Sequence, residues 1–479
     1  MAPIPQDILP QHPVFQLNSS GLAGFFGGDE GIAAMNTAQY YTARRFLGLY
    51  NSPGGFRMAK HYGRLAKSRI WRGFFPDVYL EPHEVFSLDG GPGKMCPDFL
   101  GARTGVVMDR IGHLGYLFFK QMRRIGASNC RPVPSSRETT KQTKVTIVNL
   151  DTIELPPKKP SQAVPSIRPS LLRPDVLLIN AIPVLVSLGA SIASALSEDR
   201  YAFSLILLGI VAHGAACFVL GSGRIKVDLV APPVKSPRGD GLMTMEGDII
   251  IVLGQEKEVF QVTRANISVE FPPWVQWRGY FVVGACCLLL MLQLLCQLFL
   301  IPQATLFGQI LFLSSFGVSF LYNTFLSSID KEDLQRESLE NSVWNVSDSG
   351  VKGYEFQNWT TMAISMLYVL EPAKGGVAKQ LFDRLLPNRT PEWEEFKREV
   401  LEAYNTESRL PPENSPTWEV SEDQKIVVDN MYKDWQDAVH FIEDYKAQTP
   451  TIFDDDTLRG GNDLKGSLEK RANSRLSKV

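Results

Sequence analysis

The chain has 479 residues, of which 21% are charged and 10% aromatic, and a formal net charge of −2. Such a balance is ordinary for a globular protein and gives no reason to expect nucleic acid as a partner. The average hides a split: residues 31–131 carry 15 Lys/Arg against 6 Asp/Glu, whereas residues 330–456 carry 13 against 27. The pI of the whole chain is therefore uninformative, and the asymmetry is the signal.

The first 30 residues hold no basic stretch followed by an apolar core, which argues against a cleavable signal peptide, and the first arginine is Arg44. Residues 1–131 read as a basic, helical N-terminal region. A helix is predicted over 31–50, with Ile32, Met35, Tyr41, Phe46 and Leu49 as apolar content, and Ser52-Pro53-Gly54-Gly55 breaks it. A second helix is predicted over 56–71, with Arg57, Lys60, Arg64, Lys67 and Arg69 among Phe56, Tyr62, Leu65 and Trp71. Residues 105–125 are strongly apolar but broken by Asp109, Arg110 and His113. They suit either a helix lying on an anionic membrane surface or the core helix of a soluble domain. Residues 132–174 read as a Pro- and Ser-rich linker, interrupted by a strand-like run at 144–155.

Four apolar runs organise the rest: Val176–Leu196, Tyr201–Leu220, Gly279–Ile301 and Leu306–Leu326. Each is about 20 residues without Lys, Arg, Asp or Glu, enough helix to cross a hydrocarbon core of roughly 30 Å. Only Ser197–Arg200 joins the first two, and only Pro302–Thr305 the last two, which predicts two transmembrane hairpins, 175–222 and 278–329. Lys and Arg cluster outside the two tight connectors, so both termini and the central loop are expected in the cytosol of an endomembrane or plasma-membrane protein. The fold class is thus an α-helical multi-pass membrane protein with helical cytosolic N- and C-terminal regions. Membrane lipid is its implied environment.

Polar and small residues in the runs are candidates for helix packing. Ser187, Ser191 and Ala195 recur at spacing four, as do Gly209, His213, Cys217 and Gly221, and Ser315, Ser319 and Asn323. Gln297 and Gln309 fall at similar depth across the second connector, which predicts an amide–amide bond, with Gln293 one turn away. Pro183 frees the carbonyl of Ile179, and His213 is expected to bond to that carbonyl or to Asn180.

The central loop, 223–277, holds short β-branched runs at 225–230, 248–253, 258–262 and 267–271, with 254–257 as a hairpin turn; a small β-module is expected. Residues 330–449 read as acidic and helical. Thr390-Pro391-Glu392 starts one helix. Val428, Met431, Trp435, Ala438, Ile442 and Tyr445 form a heptad-like stripe, either a local bundle face or a coiled coil. Residues 450–479 read as a disordered tail.

Catalytic signals are missing. The six cysteines form no CxxC pair and the six histidines no HExxH, so no metal, cofactor or catalytic residue is assigned. Gly90-Gly91-Pro92-Gly93-Lys94 lacks the spacing of a phosphate loop and reads as a turn. Several stretches, Gln303-Ala304-Thr305-Leu306-Phe307-Gly308-Gln309, Tyr322-Asn323, Leu326-Ser327-Ser328-Ile329-Asp330-Lys331 and Gly247-Asp248-Ile249-Ile250-Ile251-Val252-Leu253-Gly254, resemble uncharacterised multi-pass membrane proteins of filamentous fungi. The resemblance covers residues 225–335 and implies lineage without an activity. Three functions stay open: a non-enzymatic membrane protein whose cytosolic domains bind a partner or organise a membrane, an oligomeric transporter or channel, and a lipid-modifying enzyme.

Overall fold

The computed structural model describes residues 28–449 apart from Val78, 89–94, 153–173, 229–236, 343, 345–349 and 412–415. The turn at 90–94, the later part of the linker and the 450–479 tail lie outside the described residues. Helices α1 Asp29–Asn36, α2 Gly55–Gly63 and α3 Arg69–Phe74 lead into strands β1 Asp98–Gly101 and β2 Val107–Met108, helix α4 His113–Ser128, and strands β3 Cys130–Pro132 and β4 Thr143–Asn149. Helices α5 Pro174–Leu196 and α6 Arg200–Leu220 follow. Next come β5 Arg224–Asp228, β6 Gly241–Met245, β7 Asp248–Leu253, α7 Glu256–Thr263 and β8 Asn266–Glu270. Then come α8 Pro273–Leu300 and α9 Leu306–Ser327, α10 Lys331–Ser342, β9 Val351–Phe356, α11 Trp359–Leu370, α12 Gly376–Leu385, α13 Pro391–Asn405 and α14 Lys425–Gln448.

Helices α5, α6, α8 and α9 are apolar and long enough to cross a membrane. Within α8 the backbone leaves helical geometry at Trp277, and Arg278, Gly279 and Tyr280 take left-handed φ of 47°, 68° and 63°. The Lys67 N–H holds this bend by donating to the Gly279 carbonyl at 3.0 Å. The second pair of long helices departs from the expected hairpin. The main contacts of α8 are with α6 and those of α9 with α5, while α1 packs on α9 and α2 on α8. Helices α1 and α2 also touch each other, so α5, α6, α8, α2, α1 and α9 close a ring in that order. The basic N-terminal region therefore starts as part of the apolar bundle. Its predicted 31–50 helix stops at Asn36 and continues as short 3₁₀ turns.

At the connector end Asp199 joins the two pairs. Its carboxylate accepts from the Ala202 N–H at 3.0 Å, capping α6, and from the Thr305 N–H and hydroxyl at 2.8 and 2.7 Å. Thr305 in turn caps α9 through Gly308 N–H.

Away from the connectors stands one mixed sheet of order β2-β1-β6-β7-β4-β9-β3. It draws strands from before α5, from between α6 and α8, and from after α9. The central loop thus supplies two of the seven strands of a larger sheet, β6 and β7, with the 144–155 run supplying β4 beside β7. Strand β7 explains why: Ile249, Ile251 and Leu253 face the core under α11 and α14, and Ile250 and Val252 face the core under α4. A strand apolar on both faces needs cover on both. The turn before it, Glu246-Gly247, has φ of 54° and 88° and matches a two-residue hairpin. The run 258–262 is helix α7, not a strand, so 254–257 is no hairpin turn; Val259 and Val262 are buried at a helical spacing. Strands β5 and β8 pair separately, where α6 ends and α8 begins.

Helix α4 is a core helix rather than a membrane-surface one, with Leu114, Leu117, Phe118 and Met122 buried against the sheet. The stripe on α14 is buried against α11 and the sheet within the same chain. The basic and acidic regions meet through the β3–β9 ladder and the packing of α4 on β9, with Lys120–Glu332 at 2.8 Å and Arg384–Asp98 at 2.6 Å as side-chain ion pairs between them.

Close approach of α4 to β9 depends on Gly353. A Cβ there would lie 2.0 Å from the Gly126 carbonyl oxygen, a backbone atom that cannot move alone. Gly353→Ala is expected to lower stability by about 1–3 kcal/mol, whereas Gly376→Ala, where a Cβ meets open space, changes little. Thermal unfolding of the purified chain in detergent checks this; equal midpoints for both variants would sink the account.

Candidate functional site: a polar centre inside the bundle

Residues 46–56, Phe-Leu-Gly-Leu-Tyr-Asn-Ser-Pro-Gly-Gly-Phe, contain no charge. They connect the 3₁₀ turns after α1 to α2 and run into the middle of the ring. The face of α6 carrying Gly209, His213, Cys217 and Gly221 receives them. The Gly48 carbonyl accepts from His213 Nδ1 at 2.7 Å, so that nitrogen carries the proton and the neutral ring is the Nδ1-H tautomer. A Cβ on Gly209 would lie 1.9 Å from Asn51 Oδ1; only glycine admits the loop at this depth.

Asn51 is the focus. Its N–H donates to Ser187 Oγ on α5 at 3.0 Å, and its Nδ2 donates to Ser315 Oγ on α9 at 2.9 Å. Its Oδ1 accepts from Gln297 Nε2 on α8 at 3.3 Å. Ser187, Gly209 and Ser315 each lie nine residues from the connector end of their helices, about 14 Å. Asn51 therefore sits near the midpoint of the bundle's length, bonded to three of the long helices and touching the fourth.

The neighbouring loop residues extend the network. Tyr50 OH donates to Asn323 Oδ1 at 2.9 Å, and Asn323 Nδ2 donates to Ser52 Oγ at 3.0 Å. Gln293 Nε2 lies 3.5 Å from the Ser52 carbonyl and from Gln297 Oε1. Tyr322 OH donates to Asn180 Oδ1. Above them Arg44 is fully buried. Its Nε donates to Thr37 Oγ1 at 2.9 Å, and its Nη1 and Nη2 to the hydroxyls of Tyr322 and Tyr50, both at 3.2 Å. Its hydrogen-bond partners are neutral oxygens, and the Tyr322 ring lies 5.3 Å from its centre.

Most residues expected to glue the long helices together do converge here: Asn180, His213, Gln293, Gln297, Ser315 and Asn323. Their partners differ from expectation. His213 bonds to Gly48 rather than to Asn180 or the Ile179 carbonyl, and Pro183 stays inside α5 without that donor. The Gln297–Gln309 amide pair does not form, because Gln309 Nε2 turns back to the Ala304 carbonyl at 3.0 Å and Gln297 is taken by Asn51. Ser319 is buried with no partner for its hydroxyl among the described residues. Arg44, Tyr50, Asn51 and Ser52 were missed, since a Pro-Gly-Gly break reads as a surface turn. The charge-free stretch 46–56 was the available signal.

Chemically the centre binds its own chain. No group of three His, Cys, Asp or Glu able to hold a metal occurs among the described residues.

Removing the Asn51 carboxamide takes away two of its three bonds and leaves Ser315 and Gln297 without it. Asn51→Ala is expected to cost about 1–2 kcal/mol, at ~0.6 kcal/mol per intramembrane bond and more where partners stay unpaired. His213→Asn keeps a δ-position donor for Gly48 and is expected to be tolerated, while His213→Leu loses roughly 0.6–2 kcal/mol. Thermal stability in detergent tests both; a His213→Leu variant as stable as His213→Asn would refute the role of the Gly48 bond. No family model, no curated protein and no solved structure matches this chain.

Proposed function

We propose that the chain is an integral membrane protein of four spans whose work is binding rather than catalysis, with the mixed sheet and its helices as a cytosolic platform for a protein partner or for organising a membrane. The observation that carries this reading is the Asn51 loop. It occupies the place where a conduit or an intramembrane active site would lie, and it engages side chains from all four long helices. The sheet supports a one-sided arrangement, because its strands come from all three segments outside the long helices and a ladder cannot form across a bilayer. The scarcity of Lys and Arg in the two connectors supports the cytosol as that side.

A second reading, an oligomeric transporter, draws on three buried polar atoms near the same centre without partners among the described residues: Asn180 Nδ2, Gln293 Oε1 and Ser319 Oγ. It requires the loop to withdraw. Under the first reading, proteoliposomes show no ion flux; flux abolished by Asn51→Leu would transfer support to the second. Sequons at Asn18, Asn266, Asn345, Asn358 and Asn388 should stay unglycosylated, Asn388 being exposed and the most informative. A mobility shift on endoglycosidase treatment would invert the orientation. Proximity labelling from each terminus then identifies what the platform meets.

A further inference from the structure

Where α6 ends and α8 begins there is a cavity of about 500 Å³, lined by Arg45, Ser222, Arg224, Glu270, Trp274 and Gln276 among others. Two of its walls are cationic. Neither Arg45 nor Arg224 has an ion pair with an acid among the described residues, and the Nε of Arg45 is buried without a partner. The one carboxylate in the lining, Glu270, is engaged by Lys226 of the neighbouring strand. Burial and the facing Arg224 charge hold the Arg45 guanidinium below its usual range. Two like charges kept beside one space, with donors unspent, are complementary to an anion carrying several oxygen acceptors.

Aromatic rings stand beside the two cations. The Arg45 guanidinium lies 4.4 Å from the centre of the Phe218 ring, and Trp274 stacks on Phe218 at 5.9 Å. Phe46, against the Phe218 ring, and Trp274, in the lining, are 58% and 43% exposed. Aromatic rings in this position, at the ends of membrane-length helices, match the interfacial belt of membrane proteins. An anion on a hydrocarbon tail satisfies both halves of the site.

We propose that this cavity binds the phosphate of an anionic phospholipid, with Arg45 and Arg224 on the headgroup and the acyl chains lying along Phe218 and Trp274. The proposal rests on the membrane-spanning reading. Gln276 Nε2 gives one hydrogen to the Phe271 carbonyl at 2.7 Å and keeps the other for a phosphate oxygen, while the Ser222 hydroxyl is spent on the Val219 carbonyl at 2.7 Å. Free phosphate shares the headgroup chemistry but makes no use of the exposed rings.

The full chain in nanodiscs of phosphatidylcholine, with or without phosphatidic acid, provides the test, with lipid retention on transfer to detergent followed by native mass spectrometry. Wild-type protein is expected to retain phosphatidic acid over phosphatidylcholine. Arg45→Gln and Arg224→Gln should each weaken retention about fivefold, and the pair about thirtyfold, from ~1 kcal/mol per basic residue. Arg398→Gln, on the exposed face of α13, should leave it unchanged. If Arg45→Gln does not fold, Arg224→Gln, on an exposed side chain, carries the comparison alone. Wild-type retention in the Arg224 variant, or an equal loss in the Arg398 variant, overturns the site. Inorganic phosphate that displaces the lipid at equal concentration overturns the lipid assignment. Release of the chain from membranes by alkaline carbonate would defeat the membrane reading itself, an outcome distinct from both.

Discussion

The structure depends on the placement of one carboxamide. In a hydrocarbon surround an irregular stretch of backbone is tolerated only where protein supplies its hydrogen-bond partners. The 46–55 loop meets that condition through Asn51, which bonds to α5, α8 and α9 and sits against Gly209 of α6. Without the loop, α8 and α9 would have no α1–α2 unit between them, and Ser187, Ser315, Gln297, Asn323 and His213 would lose their present partners. The ring of six helices is therefore a consequence of the loop rather than a container for it.

That dependence explains what could be read from the sequence. Four long apolar helices were legible because composition alone decides them, and so were the inward polar positions, because spacing of four on a helix fixes a face. Their partners were not. His213 and Gln297 were paired with the nearest helix in sequence, whereas His213 bonds to a residue 165 positions away and Gln297 to one 246 away. Among the strands, β7 was legible through its run of Ile and Val. Strand β6 was not, and residues 258–262 read as a strand because Val259 and Val262 suit either structure. Short apolar runs carry no information on which element will cover them.

The sheet has its own order of assembly. Strand β4 is flanked by β7, parallel to it, and by β9, antiparallel, with two pairs of long helices lying between these strands along the chain. Strand β4 is made before α5, yet one neighbour becomes available only after α6 and the other only after α9. Pairings of this sequence separation form slowly, because loop closure precedes any gain from contact. The sheet cannot be complete until the last long helix has been made, which couples its folding to the assembly of the bundle.

The outer face of the α1–α2 unit carries a last consequence. Gly55 at the start of α2 lies against the Leu290 carbonyl, ten residues from the end of α8 and so about 15 Å from it. Two residues on, Arg57 meets Asp29 at 3.0 Å, with side chains 62% and 81% exposed. In a bilayer spanned by α8 this ion pair stands close to mid-depth and points away from the bundle. Hydrocarbon tails cannot solvate it, since charges at that depth recruit water, headgroups or other polar groups. In such a bilayer a uniform collar of lipid could not close around this protein: the annulus would have a polar seam, and the bilayer beside that seam would be thinner, wetter or occupied by something other than tails.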